Sequence, residues 1–313
     1  MNVSVVVPVF NSEESLPVLV ERVAAVLSEH ADSFEVILVN DGSHDASWDV
    51  ICRLAAEHVW LRGIDLARNY GQHNALLCGI RAALHETIVT LDDDLQNPPE
   101  EIPALLKELE SGADVVYGVP AEVQRDALRR FASALVRLTL RHAMGAATAH
   151  SVSSFRAFRT RLRDGFSDYG SPSVSIDVLL SWTTSRFSAV TVQHEPRHSG
   201  RSTYSPRLLL GHAFDMLTGF STLPLQVASL VGFAFTAVGF LILLFVVVSA
   251  LVGGRDVPGF AFLASTIALF AGVQLFALGI IGEYLARIHF RSMKRPAYVV
   301  GETTYESHGR ETW

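Results

Sequence analysis

Over the first two thirds of the chain, short and nearly continuous apolar runs alternate with longer stretches of helical period. Val3-Ser4-Val5-Val6-Val7-Pro8-Val9 opens the series, and its β-branched character predicts a strand covered on both faces within a parallel sheet. Asn11 or Ser12 then starts a helix reaching about Glu29, with Leu16, Leu19, Val20, Val23 and Val26 on one face. The unit recurs. Phe34-Glu35-Val36-Ile37-Leu38-Val39 is followed by a helix opened at Asp45 or Ser47 that carries Val50, Ile51, Leu54 and Ala55. A third strand near Leu61 to Leu66 precedes a helix from about Gln72 to His85, and a fourth, Thr87-Ile88-Val89-Thr90-Leu91, precedes one from Glu100 to Glu110. Ala113-Asp114-Val115-Val116-Tyr117 reads as a fifth strand, and Ala189 to His194 as a later one. This alternation predicts an α/β domain with βαβ crossovers, in which ligands collect beyond the carboxyl ends of the strands.

The pattern changes after residue 205. Arg207 to Leu223 places Leu208, Leu209, Phe214 and Leu217 on one face, as an interfacial helix would. Val227 to Val252 and Val257 to Gly282 are uncharged, and each exceeds the roughly 20 residues needed to cross about 30 Å of hydrocarbon. The short turn Gly253-Gly254-Arg255-Asp256 joins them into a hairpin. The domains expected are therefore a globular part (1–205), an interfacial segment (206–223), two transmembrane helices (224–286, about 227–252 and 257–282) and a juxtamembrane tail (287–313), of which the polar part after Pro296 is expected to add little. Arg197, Arg201 and Arg207 precede the first span, and Arg287, Arg291, Lys294 and Arg295 follow the second. The positive-inside rule then puts the globular domain and both termini in the cytoplasm of a multi-pass membrane protein. The start Met1-Asn2-Val3-Ser4-Val5 has no basic, signal-like region.

Composition supports this division. Of the 313 residues 49% are hydrophobic and the mean hydropathy is +0.29, too apolar for a purely soluble chain. A formal net charge of -7 argues against nucleic acid as a partner. Cys52 and Cys78 both lie in apolar helical patterns and read as buried thiols.

Chemistry concentrates on the strand ends: Pro8 to Ser12, Asp41, Arg68 with Asn69, and Asp92 to Gln96. Asp92-Asp93-Asp94 repel one another at the end of a buried strand unless a cation sits among them, so a hard divalent ion is one reading and a solvated acidic turn before Pro98-Pro99 the other. The chain has neither a Gly-x-Gly-x-x-Gly fingerprint nor a Gly-Lys-Ser/Thr loop, which leaves metal as the means of holding phosphates.

Four motifs in order, Val6-Val7-Pro8-Val9-Phe10-Asn11, Val39-Asn40-Asp41-Gly42-Ser43-x-Asp45, Ala67-Arg68-Asn69-Tyr70-Gly71-Gln72 and Leu91-Asp92-Asp93-Asp94-Leu95-Gln96-Asn97-Pro98-Pro99-Glu100, resemble the inverting family 2 glycosyltransferases of GT-A fold. The similarity is to the polyprenyl-phosphate branch, that of dolichyl-phosphate mannose synthase and undecaprenyl-phosphate glucosyltransferase. The resemblance implies a Rossmann-like, mostly parallel sheet and nucleotide contacts from Pro8, Phe10, Ser12, Asp41, Asp92 and Asp93. It places Mg2+ or Mn2+ on Asp92, Asp94 and Gln96. Ser12 stands where relatives commonly carry Glu. The resemblance gives catalytic work to Asp92, Asp94, Arg125 and Arg197. It gives the lipid phosphate to Arg125, Ser154, Arg197, Arg201 and Ser202.

Arg125 belongs to a basic amphipathic stretch ending at His142, and Ser154 to Ser151-Val152-Ser153-Ser154-Phe155-Arg156, where many relatives have Asp before Phe-Arg. Arg197-His198-Ser199-Gly200-Arg201-Ser202-Thr203-Tyr204 resembles the family's Arg-x-x-Gly-x-Ser-Lys-Tyr loop, with Thr203 in place of Lys and Arg201 as the substitute cation. Asp177 is a substitute carboxylate or the charge at a helix start. The implied activity is transfer of a sugar from a nucleotide-diphosphate donor, UDP-glucose first, to polyprenyl phosphate for cell-envelope glycan modification. UDP-N-acetylgalactosamine, GDP-mannose, deoxysugar or aminopentose donors are the alternatives, with a non-enzymatic lipid-binding membrane protein as the rival class. The lipid bilayer is a partner, and a homo-oligomer, a tetramer in relatives, is implied.

Overall fold

The computed structural model describes residues 1–120, 152–171, 174–195, 222–252, 259–293 and 295–305. It divides into two compact units, one of Met1–Pro206 with Lys294–Trp313 and the other of Arg207–Met293.

In the first unit the elements run β1 (Asn2–Val9), α1 (Leu16–His30), β2 (Ser33–Asn40), α2 (Ser47–Glu57), β3 (Leu61–Leu66), α3 (Gln72–Ala82) and β4 (Thr87–Thr90). A 3-10 turn (Pro99–Glu101) leads into α4 (Ile102–Glu110), then come β5 (Val115–Pro120), β6 (Arg156–Arg159), α5 (Ile176–Thr183) and β7 (Phe187–Val192), and β8 (Val300–Thr303) closes the unit. The sheet order is β7-β5-β6-β4-β1-β2-β3-β8. β1 pairs in parallel with both β2 and β4, and β2 with β3. The most apolar strand thus sits in the middle, where both faces are covered.

The two-residue period of β1 divides the core. Val5 and Val7 face Leu19, Val23, Ile51 and Leu105, supplied by α1, α2 and α4, while Val6 faces Ala75, Ile80 and Leu179, supplied by α3 and α5. Strand ends carry the polar residues because the interior of this sandwich has no water to solvate them.

Two elements depart from a simple βαβ series. β6 runs antiparallel between β4 and β5, and β8 runs antiparallel along β3. The tail expected to add little therefore completes the sheet. It covers the β3 edge and buries Ala297 and Tyr298 against α3. Tyr298 lies beside Arg81, whose guanidinium is 5.7 Å from its ring centre, and beside Cys78, whose thiol burial pushes up to about 12. Both cysteines are free thiols, Cys78 buried and Cys52 half-buried.

In the second unit α6 (Leu223–Val252) and α7 (Phe260–Ser292) pack together, with Phe235 and Phe270 edge to face at 5.9 Å. Both are long and apolar enough to cross a membrane by length and composition. Leu230, Phe233 and Leu275 are 73%, 79% and 69% exposed, an apolar surface that the described residues leave bare. The expected interfacial segment 206–223, the turn Gly253 to Asp256 and the basic stretch from Arg125 to His142 lie outside the described residues.

Ending the chain at Arg295 removes the β8 pairing and the burial of Tyr298. Burying one such side chain is worth about 2 kcal/mol, and each kcal/mol moves the midpoint by about 2–4 °C in a domain of this size. The truncated protein is expected to melt at least about 4 °C lower and to aggregate through β3, measured by thermal scanning and light scattering.

Candidate functional site

The loops after β1, β2, β3 and β4 meet on one rim of the sheet. Val9 ends β1 directly opposite Asn40, so Phe10 and Asp41 emerge side by side. Asn11 then adopts φ 54°, a left-handed conformation that Asn tolerates, which leaves Phe10 44% exposed. Its backbone N–H donates to Ser43 Oγ at 3.0 Å, and its side-chain oxygen accepts from His44 N–H at 2.8 Å. The His44 ring meets Phe10 edge-on at 6.2 Å. Pro8 is buried inside β1.

Asp41 is buried, and its two oxygens accept the backbone N–H groups of Tyr70 at 2.7 Å and Gly71 at 2.8 Å. Burial raises its carboxyl pKa while those donors pull it down. The carboxylate thereby pins the third loop against the second. Gly42 is required at this contact: at φ +64° an added Cβ would stand 2.5 Å from Asn69 N.

The acidic loop begins one residue beyond β4. Leu95 takes φ 60°, unfavourable for a branched side chain, and its burial among core residues holds it there. Asp92, Asp93 and Asp94 lie immediately before this reversal. Asp92 Oδ1 accepts from Gln72 Nε2 at 2.6 Å and its Oδ2 accepts from Ser154 Oγ. Asp93 Oδ2 accepts from Ser12 Oγ at 2.5 Å and Phe10 N–H at 3.0 Å. Asp94 Oδ1 accepts from the N–H of Gln96 at 3.1 Å. The three carboxylates are thus held by different loops. Burial, opposed by the Ser154 hydrogen bond and reinforced by Asp94 and Asp93, pushes Asp92 up to about 6. Asp93 is raised as well, first by burial.

The backbone oxygen of Gln96 accepts from Glu195 N–H at 2.8 Å, and Arg22 bonds Glu100 at 2.7 Å while reaching Glu195 at 3.4 Å. The segment after β7 is therefore fastened to the acidic loop. Arg125, Arg197, Arg201 and Ser202 lie outside the described residues.

Beneath the rim Arg156 is buried with Asp177, and Tyr117 O–H donates to the same Asp177 oxygen at 3.0 Å. Asp177 is committed as the partner of Arg156 and not displayed as a substitute base. The sequence reading did not foresee this, nor the roles of Gln72 and Thr90. Arg156 flanked by Phe155, Ala157 and Phe158 was the available signal, because a guanidinium buried among apolar neighbours demands a carboxylate.

Among the described residues no three His, Cys, Asp or Glu side chains are arranged as a metal cage. The donor set nevertheless fits a hard cation shared with a diphosphate, which needs only one or two protein carboxylates. Asp92 and Asp94 would be the residues to supply them, since the charge of Asp94 raises the pKa of Asp92 and a cation between them would relieve that repulsion.

The architecture is a mostly parallel sheet with an acidic loop at its carboxyl rim, followed by two apolar helices. The chain belongs to glycosyl transferase family 2, whose model matches residues 4–166, and it is a glycosyltransferase. It is 36% identical over 305 residues, 96% of this chain and 93% of the relative, to the undecaprenyl-phosphate 4-deoxy-4-formamido-L-arabinose transferase of Pectobacterium carotovorum subsp. carotovorum (strain PC1). The protein of the same name from Pseudomonas aeruginosa (strain LESB58) is 38% identical over 302 residues, 95% of this chain and 89% of that one. The fold is shared with glucosyl-3-phosphoglycerate synthase from Mycobacterium tuberculosis in complex with Mn2+, uridine-diphosphate and phosphoglyceric acid. That match has a TM-score of 0.52 at 16% identity and covers 69% of this chain and 76% of the other.

The Asp92 shift has a consequence for stability. An unfolded Asp deprotonates near 3.8 and the folded one near 6, so between these values the native state holds more protons and stability falls as pH rises through the window. Asp92→Asn never carries that charge. In EDTA it is expected to melt a few degrees above the wild type at pH 7.5, with the gap closing towards pH 4, while transferase activity is lost.

Proposed function

We propose that this glycosyltransferase moves a 4-formamido-4-deoxypentose from a uridine diphosphate donor to undecaprenyl phosphate, with inversion at the anomeric carbon. The observation that carries the reading is the extent of the similarity: it covers 96% of the chain and so takes in both apolar helices as well as the catalytic sheet. The two relatives described above share one substrate name, which favours the aminopentose alternative over UDP-glucose. Membership of the family sets aside a non-enzymatic lipid-binding role.

In this proposal Phe10 and the neighbouring His44 flank the base, and Asp41 holds the adjoining loops in place for the ribose. Asp92 and Asp94, with Gln96 behind them, hold Mg2+ or Mn2+ together with the donor's diphosphate. When bound, the metal offsets the charge that develops on the leaving group. Asp93, bonded to Ser12 and Phe10 N–H, fixes the first loop beside it.

The attacking group is a phosphate monoester, whose second pKa is about 6, so its oxygen is largely anionic near neutrality. A strong general base is then unnecessary, in keeping with a Ser at position 154. The demand on the protein is to bring two anions together, which we assign to Arg125, Arg197, Arg201 and Ser202. The apolar helices embed in the bilayer, with the catalytic unit and both termini on the cytoplasmic side, and so tether the enzyme to the membrane that holds its lipid acceptor.

The test is to incubate purified protein with undecaprenyl phosphate and a panel of UDP-sugars and to weigh the lipid products by mass spectrometry. A formamidopentosyl phospholipid is expected, and a glucosyl product alone overturns the donor assignment. Asp94→Ala is expected to lower turnover at least about 100-fold; near-normal turnover in that variant overturns the metal assignment.

A further inference from the structure

The register of three strands places one polar row directly beneath the acidic loop. Thr90 at the end of β4 is paired with Arg156 in β6, and Arg156 with Tyr117 in β5. Their side chains form one chain of contacts. Tyr117 O–H and Arg156 Nη1 both donate to Asp177 Oδ1, and Arg156 Nε donates to Thr90 Oγ1 at 3.1 Å. Thr90 Oγ1 in turn donates to the backbone oxygen of Ser154 at 2.6 Å. Ser154 Oγ closes the chain on Asp92 Oδ2, while Gln72 donates to the other oxygen of that carboxylate.

Arg156 is 1% exposed. A buried ion pair of this kind contributes little net stability compared with apolar residues of the same volume, because the desolvation of two charges offsets their attraction. Its value lies in direction: a planar guanidinium bonded to Asp177 on one side and to Thr90 on the other has one orientation available. That orientation sets the path of the main chain at Ser154, and hence where the Ser154 hydroxyl points. With one donor on each oxygen, Asp92 has one rotamer and keeps a free lone pair on each oxygen facing the rim.

We propose that Ser154, supported by the buried Arg156–Asp177 pair through Thr90, is a positioning residue that fixes the orientation of the Asp92 carboxylate for the metal and diphosphate. The proposal rests on the assignment of Asp92 and Asp94 as metal ligands made above. It gives Ser154 a task on the donor side of the reaction, distinct from contact with the lipid phosphate.

The experiment titrates Mn2+ into the full-length protein in the presence of uridine diphosphate and follows free Mn2+ by its paramagnetic resonance signal, alongside thermal unfolding of each variant. Ser154→Ala is expected to weaken Mn2+ binding about tenfold, the lower end of the effect of losing a partner to a ligand, with little change in melting temperature. Ser154→Thr, which keeps the hydroxyl, is expected to recover most of the affinity. Asp177→Asn should weaken binding in the same sense, and the double variant should lose less than the sum of the two losses because both act on one unit.

Wild-type Mn2+ affinity in Ser154→Ala overturns the proposal, whatever becomes of the folding of Asp177→Asn. Asp94→Ala in the same titration separates the two levels. If it too binds Mn2+ normally, the metal assignment itself fails; if it loses binding while Ser154→Ala does not, only the positioning role is lost.

Discussion

Three consecutive carboxylates at the mouth of a buried sheet constitute the interaction around which the rest of the catalytic unit is arranged. Left in an apolar setting they would destabilise the fold, since each gains little hydration and repels its neighbours. The structure answers by giving each a different set of donors. Gln72 from the start of α3 and Ser154 from the approach to β6 take Asp92, the first loop takes Asp93 through Ser12 and Phe10, and Asp94 bonds the N–H of Gln96 within its own turn. Loops separated widely in sequence are thereby fixed to one another through the group that most needs them.

The compensation is incomplete, and that is functionally useful. Asp92 still sits well above the ordinary range of an aspartate because burial outweighs its hydrogen bonds. In the proposed function a divalent cation with its diphosphate would remove the remaining unfavourable charge, so that a local cost to folding would become affinity for the ligand. Asp41 shows the contrasting use of a buried carboxylate. Its two oxygens are occupied by Tyr70 and Gly71 N–H groups, and it acts as the joint between the second and third loops.

The membrane-like helices obey a different constraint from the sheet. The sheet buries both faces and presents polarity only at its ends, whereas α6 and α7 keep large apolar residues such as Phe233 and Leu275 at the surface. In water that arrangement is unfavourable, and in hydrocarbon it is neutral. After the second apolar helix the chain rejoins the catalytic unit through β8 within a few residues, so the sheet is completed by residues that follow the membrane segment.

Much of this was legible in the residues alone. β-branched runs located β1, β2 and β4, helical spacing located α1 to α4, and the polar strand ends marked the rim, because periodicity and burial are local properties of the chain. The four motifs carried the resemblance to the family, which the match over residues 4–166 bears out. The fold then decided what depends on pairing over long distances. It inserted β6 antiparallel beside β4, though its few residues carry no strand signal of their own. It turned a polar tail into β8 because β3 has an edge that needs covering. It also placed Asp177 in the first turn of α5, as the helix-start reading has it, and paired it with Arg156, since only the three-dimensional register brings Thr90, Arg156 and Tyr117 into one row. Sequence by itself determined which residues carry charge near the site; tertiary structure decided which of those charges face a ligand and which are spent on one another.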